Sequence, residues 1–519
     1  MVLRVTKEKK SYEINPANRI MDLGNVEPVP PASMYTVITL QDPIPGVYPA
    51  SRFNQSKQNQ ENGLRKRILG HIKDDDGVLV VDQERIDDLY SFCRRFILPQ
   101  FRRCETVTFD KFMADHCYSG GKRERYEKAW EKYCCEGLNS TSSYISAFLK
   151  DENAPPKSAF EKEPRVVQSR QYHFALRFGM HLNDIEKQLY TKRGWSRGVA
   201  PTPVFGKGHN PLQRAKNIIK KIEGVKKLGE WECIMFDLTA FDSSIKKELL
   251  RLCHMVYLHC NDNPEFRWIL EQQLRTVGFT ADFRYEVNCG GRCSGDFDTS
   301  CGNALIMATL IWMYLHENGI DGDQYCDGDD TLLFVKRGSV DPEHIRLWFR
   351  RFGLVLRVEG RATVIEDIEW CQCHPVFVRG RYCMIPNYRK RISHILASPK
   401  MSGGYLRAVA DGELVLGHGV PILGAFAKML DRSTRDYTPG VLEPSQQYYY
   451  KNVCRMKGKA VYTPVSPSDE SRESFARAFG ISIAEQLTIE SQLDDQEVDP
   501  SPGIGAPKHW FEVYNYLAG

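Results

Sequence analysis

The sequence predicts an α+β fold with antiparallel pairing. Three observations carry this. A short apolar strand, Cys233-Ile-Met-Phe236, ends in Asp237. Two further strands, Gln324 to Asp327 and Thr331 to Val335, flank a Gly328-Asp329 turn and read as a hairpin. Helical segments separate them, so the order strand, helix, hairpin, helix, strand runs through one stretch of chain.

The elements follow in order. The first sixty residues are rich in turn formers (Pro28 to Ser33, Asp42 to Gly46, Pro49 to Ser51) and predict an extended arm. Helical patterning dominates from Gln83 to Cys135, with a loop at Ser119-Gly-Gly121. Pro155-Pro156 and Pro201 to Gly208 mark further loops. Asn303 to Leu315 predicts a helix packed on most sides. The next helix has marked ends: Asp341 caps it, Pro342 suits its first turn and Gly353 its stop, with Ile345, Trp348 and Phe352 on one apolar face. Leu354 to Val358 returns as a strand, and beyond about Ser402 the pattern is helical again. Ser482 and Glu485 have the spacing of a capping box for a helix beginning near Ile483.

At 519 residues the chain is long enough for several cores, and 42% hydrophobic with 26% charged residues is a globular composition that excludes disorder over most of its length. The longest apolar run, Ala304 to Leu315, is too short to span a bilayer. The charged N-terminus lacks the apolar core of a secretion signal. Membrane attachment is therefore expected to need a partner or a further segment. The 16 cysteines read as free, buried thiols of a reducing compartment. Cys371, Cys373 and His374 form the tightest cluster. Their spacing fits no common zinc pattern, so packing in a sheet is the expectation over a metal site. Net charge is only +4, but Glu161 to Glu230 holds 15 Lys/Arg against 6 Asp/Glu, leaving 55 against 60 elsewhere. A local basic segment predicts a polyanion channel, although Lys216 to Lys227 alone reads as a solvated helix face.

Three short patterns carry chemistry: Asp237-x4-Asp242 at a strand end, Ser294-Gly295-x3-Thr299-x3-Asn303, and Gly328-Asp329-Asp330 at the hairpin turn. All three in that order arise by accident in on the order of one chain in a thousand, so they are taken as one site. Nucleotidyl transfer needs two cations close together, and Mg²⁺ binds through carboxylates, phosphates and retained waters. Asp237, Asp329 and Asp330 are the candidate catalytic and metal-holding carboxylates, and their mutual repulsion makes sense only with cations to offset it. Asp242, beyond the strand end, is placed to meet a ribose hydroxyl. Thr299 and Asn303, four apart on one helix face, complete recognition of the 2′-hydroxyl. Gly295 gives the loop freedom to approach a template backbone, beside Ser294.

These patterns resemble the A, B and C motifs of positive-strand RNA virus polymerases. The resemblance extends to Glu163-Pro-Arg165-Val-Val-Gln168-Ser-Arg170, similar to the basic motif that grips the incoming triphosphate, with Lys162, Arg165 and Arg170 as its phosphate binders. Ile368 to Val376, with a hairpin over Arg379-Gly380, resembles the primer grip of tombusvirus-like polymerases, with Cys371, Gln372 and Pro375 as its residues. Ser474 to Ile481, with Glu485-Gln486, resembles their thumb. Three places depart from the pattern: Asp327 stands where tombusviruses often have Asn, Leu238-Thr-Ala-Phe241 differs from the usual plant-virus string, and Arg357 stands where related enzymes often have a Lys general acid. Arg357 reads equally as a phosphate-binding charge and as an ordinary strand residue.

The resemblance implies a right-hand fold with closed fingertips: arm and fingertips over 1–65, fingers over 66–230, an antiparallel palm over 231–400 with a fingers insertion around 255–290, and thumb over 401–519. It implies RNA-directed RNA synthesis with two Mg²⁺ or Mn²⁺ ions, and single-stranded RNA template, nascent RNA and nucleoside triphosphates as partners. It also implies membrane-associated replication complexes in the host cytoplasm, held there by other viral replication proteins. Two alternatives stand beside it. A reverse transcriptase usually carries a bulky residue at the position of Asp242, and a non-catalytic RNA-binding scaffold has little reason to keep all three carboxylates.

Overall fold

The structure, a computed structural model, describes residues 3–499 apart from 9, 11, 25–35, 39, 49–50, 72, 119, 153–154, 156–160, 399–400, 443–445, 447–449 and 451–464. The predicted turns at Pro28 to Ser33, Pro49-Ala50, Ser119 and Pro156 lie outside these residues.

The apolar strand around Cys233 runs over Trp231–Leu238 and is interior to a four-stranded antiparallel sheet, ordered Gly322–Asp327, Asp330–Lys336, Trp231–Leu238, Leu356–Ala362. Alternation along it sends Ile234, Phe236 and Leu238 into one core and Cys233 and Met235 into another. The first core is filled by the helix Thr299–Glu317, which begins four residues before the predicted start and is buried on nearly all sides. The second is covered by the helix Pro211–Lys226 through Ala215, Ile218, Ile222 and Val225. The last strand starts at Leu356, two residues later than predicted, and carries a bulge between Val358 and Gly360. The loop at Pro201 to Gly208 covers the sheet's edge: the Gly206 amide donates to Cys326 O and the Cys326 amide to Val204 O, both at 2.9 Å. That satisfies backbone groups an open edge would leave unpaired.

Local end signals are realised as read. Asp341 accepts from the Glu343 amide ahead of Pro342–Arg350, and Gly353 follows at φ +75°. Ser482 and Glu485 form a reciprocal capping box at the start of Ile483–Asp494, and Ser402 caps Gly403–Leu416.

A second sheet joins five strands from distant parts of the chain, ordered Arg19–Asp22, Phe283–Val287, Thr276–Phe279, Ile145–Leu149, Val166–Arg170. One pairing in it, Thr276–Phe279 with Ile145–Leu149, is parallel. The N-terminal arm thus enters this sheet at Arg19–Asp22. Further on, its Thr36–Val37 pairs with Ala397–Ser398, and Ile38, Leu40 and Ile44 pack among Tyr388, Leu406, Phe426 and Phe475. The arm is anchored at both ends to different cores.

The basic helix Pro211–Lys226 departs from its expected solvated face at one residue. Lys221 is fully buried, 3.2 Å from the Asp323 carboxylate, and donates to Thr202 Oγ1 and, at 2.8 Å, to Pro203 O. Burial lowers its pKa against the pull of Asp323. The pair ties helix, covering loop and sheet together. Lys221→Met should cost about 3–5 kcal/mol by leaving Asp323 buried and uncompensated, and adding Asp323→Leu should recover most of that. Denaturant unfolding of both variants checks this; a silent single substitution would mean the pair anchors nothing.

Candidate active site

Register brings the carboxylates together. Thr331 lies opposite Phe236, so one step further Asp330 comes beside Asp237, and on the other side Arg357 is the direct partner of Asp237. Side chains of directly opposed residues share a face, so Asp237, Asp330 and Arg357 project together. Asp327 pairs with Asp330 across a two-residue turn, in which Gly328 takes φ +72°. Positive φ at the first turn position is a glycine conformation of tight hairpins. Asp329 is held at the tip of this turn.

The cluster is electrostatically crowded. Burial raises the pKa of Asp329, and Asp242 and Asp237 raise it further. Loss of water pushes Asp330 up to about 7, with Asp329, Asp327, Asp237 and Glu359 adding to the shift. Such a site binds protons or cations to relieve its charge. Among the described residues, no three or more His, Cys, Asp or Glu side chains are grouped so as to hold a metal ion by themselves. Magnesium does not require such a group, since it keeps waters and takes substrate phosphates beside one or two carboxylates. The donor chemistry of Asp237, Asp329 and Asp330 fits a hard divalent ion on those terms.

Asp242 sits in the short helix Phe241–Ser244, entered through Ala240 in the left-handed region at φ +52°. Its Oδ1 accepts from Asn303 Nδ2 at 2.8 Å, which puts these two candidate residues in direct contact. Burial raises the Asp242 pKa, while Asn303, Arg292, Arg165 and Lys150 pull the other way. Thr299 differs from expectation: its hydroxyl donates within the loop, toward Cys293 O and Asp296 O at 2.9 and 2.8 Å, and so closes the helix start. Gly295 has a different close neighbour from the template expected for it. A Cβ there would lie 2.4 Å from Gln168 O, so the missing side chain lets the loop press on the strand Val166–Arg170. Ser294 Oγ donates to Val166 O at 3.2 Å in the same contact.

The basic motif divides in two. Lys162 and Arg165 are exposed, and their charges act on the acidic cluster, Arg165 on Asp329 and Asp242 and Lys162 on Glu359. Arg170 is corrected: its guanidinium is buried against Asp296 and donates to Ser143 O at 2.7 Å, so it braces the loop instead of presenting itself to a phosphate. Lys150, which the sequence reading missed, acts on Asp242 and donates its amide to Arg165 O. Only its spatial neighbourhood reveals it. Glu163, buried at the head of the motif, accepts from Tyr12 at 2.8 Å and Lys10 at 3.1 Å, which fastens the arm to the strand.

The expected hairpin over Arg379-Gly380 is present, joining Cys373–Val378 to Arg381–Pro386. Before it, Cys371 and Gln372 both take positive φ (51° and 59°) in a tight turn closed by Trp370 and Cys373. Gln372 is exposed at the tip, whereas Pro375 is buried in the strand and corrected to a packing residue. The turn touches the carboxylate hairpin: Trp370 Nε1 donates to Asp330 O at 3.0 Å, and Cys371 Sγ lies 3.9 Å from Asp327 Oδ2. Burial pushes the Cys373 thiol up to about 12 and that of Cys371 well above its usual value, and His374 Nδ1 meets Glu366 O at 3.0 Å. Cys371 and Cys373 are half-buried against the core around Trp370, and His374 meets the Phe479 ring edge-on. Asp327, the departure before Gly328, is ion-paired with Arg214, whose guanidinium lies 4.8 Å from the Trp370 ring centroid. Arg357 is exposed beside Asp237.

The raised pKa of Asp330 sets a pH dependence. Folded, this carboxyl holds its proton more tightly than at its ordinary 3.8, so metal-free stability through this group falls as pH rises from there toward about 7. Melting curves of metal-free protein between pH 4 and pH 8 should show a decline that Asp330→Asn removes and Mg²⁺ reduces. Identical pH profiles for the two proteins would contradict it.

Comparison with known sequences identifies the family. The profile of the family described as viral RNA dependent RNA polymerase matches residues 32–500. The chain is 29% identical over 413 residues to the RNA-directed RNA polymerase of Oat chlorotic stunt virus, covering 73% of this chain and 53% of that protein. It is 26% identical over 425 residues to that of Groundnut rosette virus (79% and 48%), and 27% identical over 398 residues to that of Tobacco necrosis virus strain D (72% and 53%). The chain spans about half the length of these relatives. With the profile covering most of its length, the chain belongs to the viral RNA-dependent RNA polymerase family.

Proposed function

We propose that this chain catalyses template-directed RNA synthesis from nucleoside triphosphates in the replication of a positive-strand RNA virus genome. The observation that carries this is the convergence of Asp237, Asp329 and Asp330 at one end of the four-stranded sheet, beside the Asp242–Asn303 pair, with Arg165 acting on Asp329 and Asp242, Lys150 on Asp242 and Lys162 on nearby Glu359. The names of the similar viral proteins support it.

In this reading, Asp237, Asp329 and Asp330 hold two Mg²⁺ or Mn²⁺ ions. When bound, such ions lower the pKa of the attacking 3′-hydroxyl and stabilise charge on the leaving pyrophosphate. Lys162 and Arg165 bind the triphosphate, and Lys150 adds charge at the same rim. Asp242, oriented by Asn303, accepts a hydrogen bond from the 2′-hydroxyl and so distinguishes NTP from dNTP. Gln372, at an exposed turn leaning on the carboxylate hairpin, supports the primer strand. Template RNA lies along the basic 161–230 region and is held through its backbone.

The lobes correspond to fingers over 66–230, palm over 231–400 and thumb over 401–519. A fingers insertion is supported by Thr276–Phe279, which pairs with the fingers strand Ile145–Leu149, and by Phe283–Val287, which joins it to the arm strand Arg19–Asp22. The arm's double anchoring, to the five-stranded sheet and to the core around Leu406 and Phe475, supports closed fingertips. No helix of the described residues is long and apolar enough to cross a membrane, and we assign attachment to host-cytoplasmic membranes to other viral replication proteins.

Incorporation of labelled nucleotide on a single-stranded RNA template with Mg²⁺ or Mn²⁺ tests this. Wild type should give template-dependent product from NTPs, and Asp329→Ala should lower it by about 10³-fold. Full activity in the variant, or no product from folded, RNA-binding wild type, would contradict the proposal.

A further inference from the structure

Behind the Asp242–Asn303 pair lies a buried polar chain. Arg292, with a fully buried side chain, donates through Nε to Asn303 Oδ1 at 3.1 Å. Its Nη1 is ion-paired with Asp298, also buried, and its Nη2 lies 3.4 Å from Cys253 Sγ. Its own amide donates to Asp242 O at 2.8 Å. Asp298 is held in turn by Gln273 at 2.9 Å and Tyr257 at 3.3 Å, and Gln273 reaches Asp296, the partner of Arg170, at 2.8 Å.

The helix is built to admit this guanidinium. A Cβ on Gly302 would lie 2.4 Å from Arg292 Nη2 and 2.8 Å from its Cζ. Glycine inside a helix costs about 1 kcal/mol against alanine, and here it makes room for one side chain.

We propose that Arg292 is a positioning residue for ribose selection, fixing which way the Asn303 amide faces and thereby how Asp242 is presented to the nucleotide. The inference rests on reading Asp242 as the carboxylate that meets the 2′-hydroxyl. An amide side chain can turn over, exchanging its oxygen for its NH₂ group. Arginine has only donors, so it accepts the oxygen alone as its partner. With Oδ1 committed to Arg292, the NH₂ group must face Asp242 and donate to Oδ1 of that carboxylate. Asp242 is then held by its side chain through Asn303 and by its carbonyl through the Arg292 amide. Among the described residues no protein hydrogen bond is formed to Asp242 Oδ2, which leaves that oxygen to accept from a ribose. Without the arginine fork the amide is free to turn and set its own oxygen against the carboxylate.

The test compares kcat/KM for NTP and dNTP in the full chain on an RNA template, for wild type, Asp242→Ala and Arg292→Lys. Lysine keeps a cation for Asp298 but has no Nε donor on a rigid fork. The NTP preference should fall about tenfold in Arg292→Lys, on the scale of one hydrogen bond to a charged group, mainly through a higher KM for NTP. It should fall further in Asp242→Ala. If Arg292→Lys does not fold, as judged by its melting curve, Arg292→Met with Asp298→Asn removes both charges together and is expected to lose the same preference. Loss in Asp242→Ala with wild-type preference in the folded Arg292 variant would overturn the role of Arg292. Wild-type preference in Asp242→Ala would overturn the ribose reading itself, and this inference with it.

Discussion

Repulsion between carboxylates organises the molecule. The pairing of Trp231–Leu238 with Asp330–Lys336 puts Asp237 beside Asp330, and the two-residue turn adds Asp329 at its tip. Loss of water and the neighbouring carboxylates raise the proton affinity of Asp329 and Asp330, and only a rigid frame keeps the groups from moving apart. That frame is the rest of the fold. One sheet face is packed by the buried helix Thr299–Glu317, the other by Pro211–Lys226 with its Lys221–Asp323 pair. Trp370 fastens the turn at Cys371-Gln372 to the backbone of Asp330, and Arg214 offsets the additional charge of Asp327.

The same logic extends outward through paired charges. Arg170 with Asp296 and Arg292 with Asp298 are buried ion pairs joined by Gln273, and they link the basic strand to the loop before the long helix. Removing one member of such a pair is costly because the other stays buried and uncompensated. The loop that carries Ser294 and Gly295 is therefore held from behind. Ser294 stays exposed, as do Lys162 and Arg165.

What the sequence revealed was what local chemistry decides. The strand ending in Asp237, the Gly328-Asp329 turn, the Asp341 cap and the Ser482 capping box each depend on neighbours within a few residues, and each formed as read. The three patterned motifs were legible because their order constrains them. The five-stranded sheet was not, since its strands are four or five residues long and come from near residues 20, 147, 168, 277 and 285. Arg170, Lys221 and Pro375 were misjudged for one reason: their partners or covering groups lie far away in the chain, and an arginine that braces a loop looks in sequence like one that binds phosphate. Lys150 and Arg292 carried no signal beyond residue type.

If relief of carboxylate repulsion by cations is the purpose of this arrangement, the ions can be counted. Titration of the chain with Mn²⁺, followed by electron paramagnetic resonance with an RNA primer–template and a non-hydrolysable nucleoside triphosphate bound, tests this most directly. The account predicts two ions per chain in wild type and loss of tight binding in Asp237→Asn with Asp329→Asn. Fewer than two ions in wild type, or unchanged binding in the double variant, would contradict it.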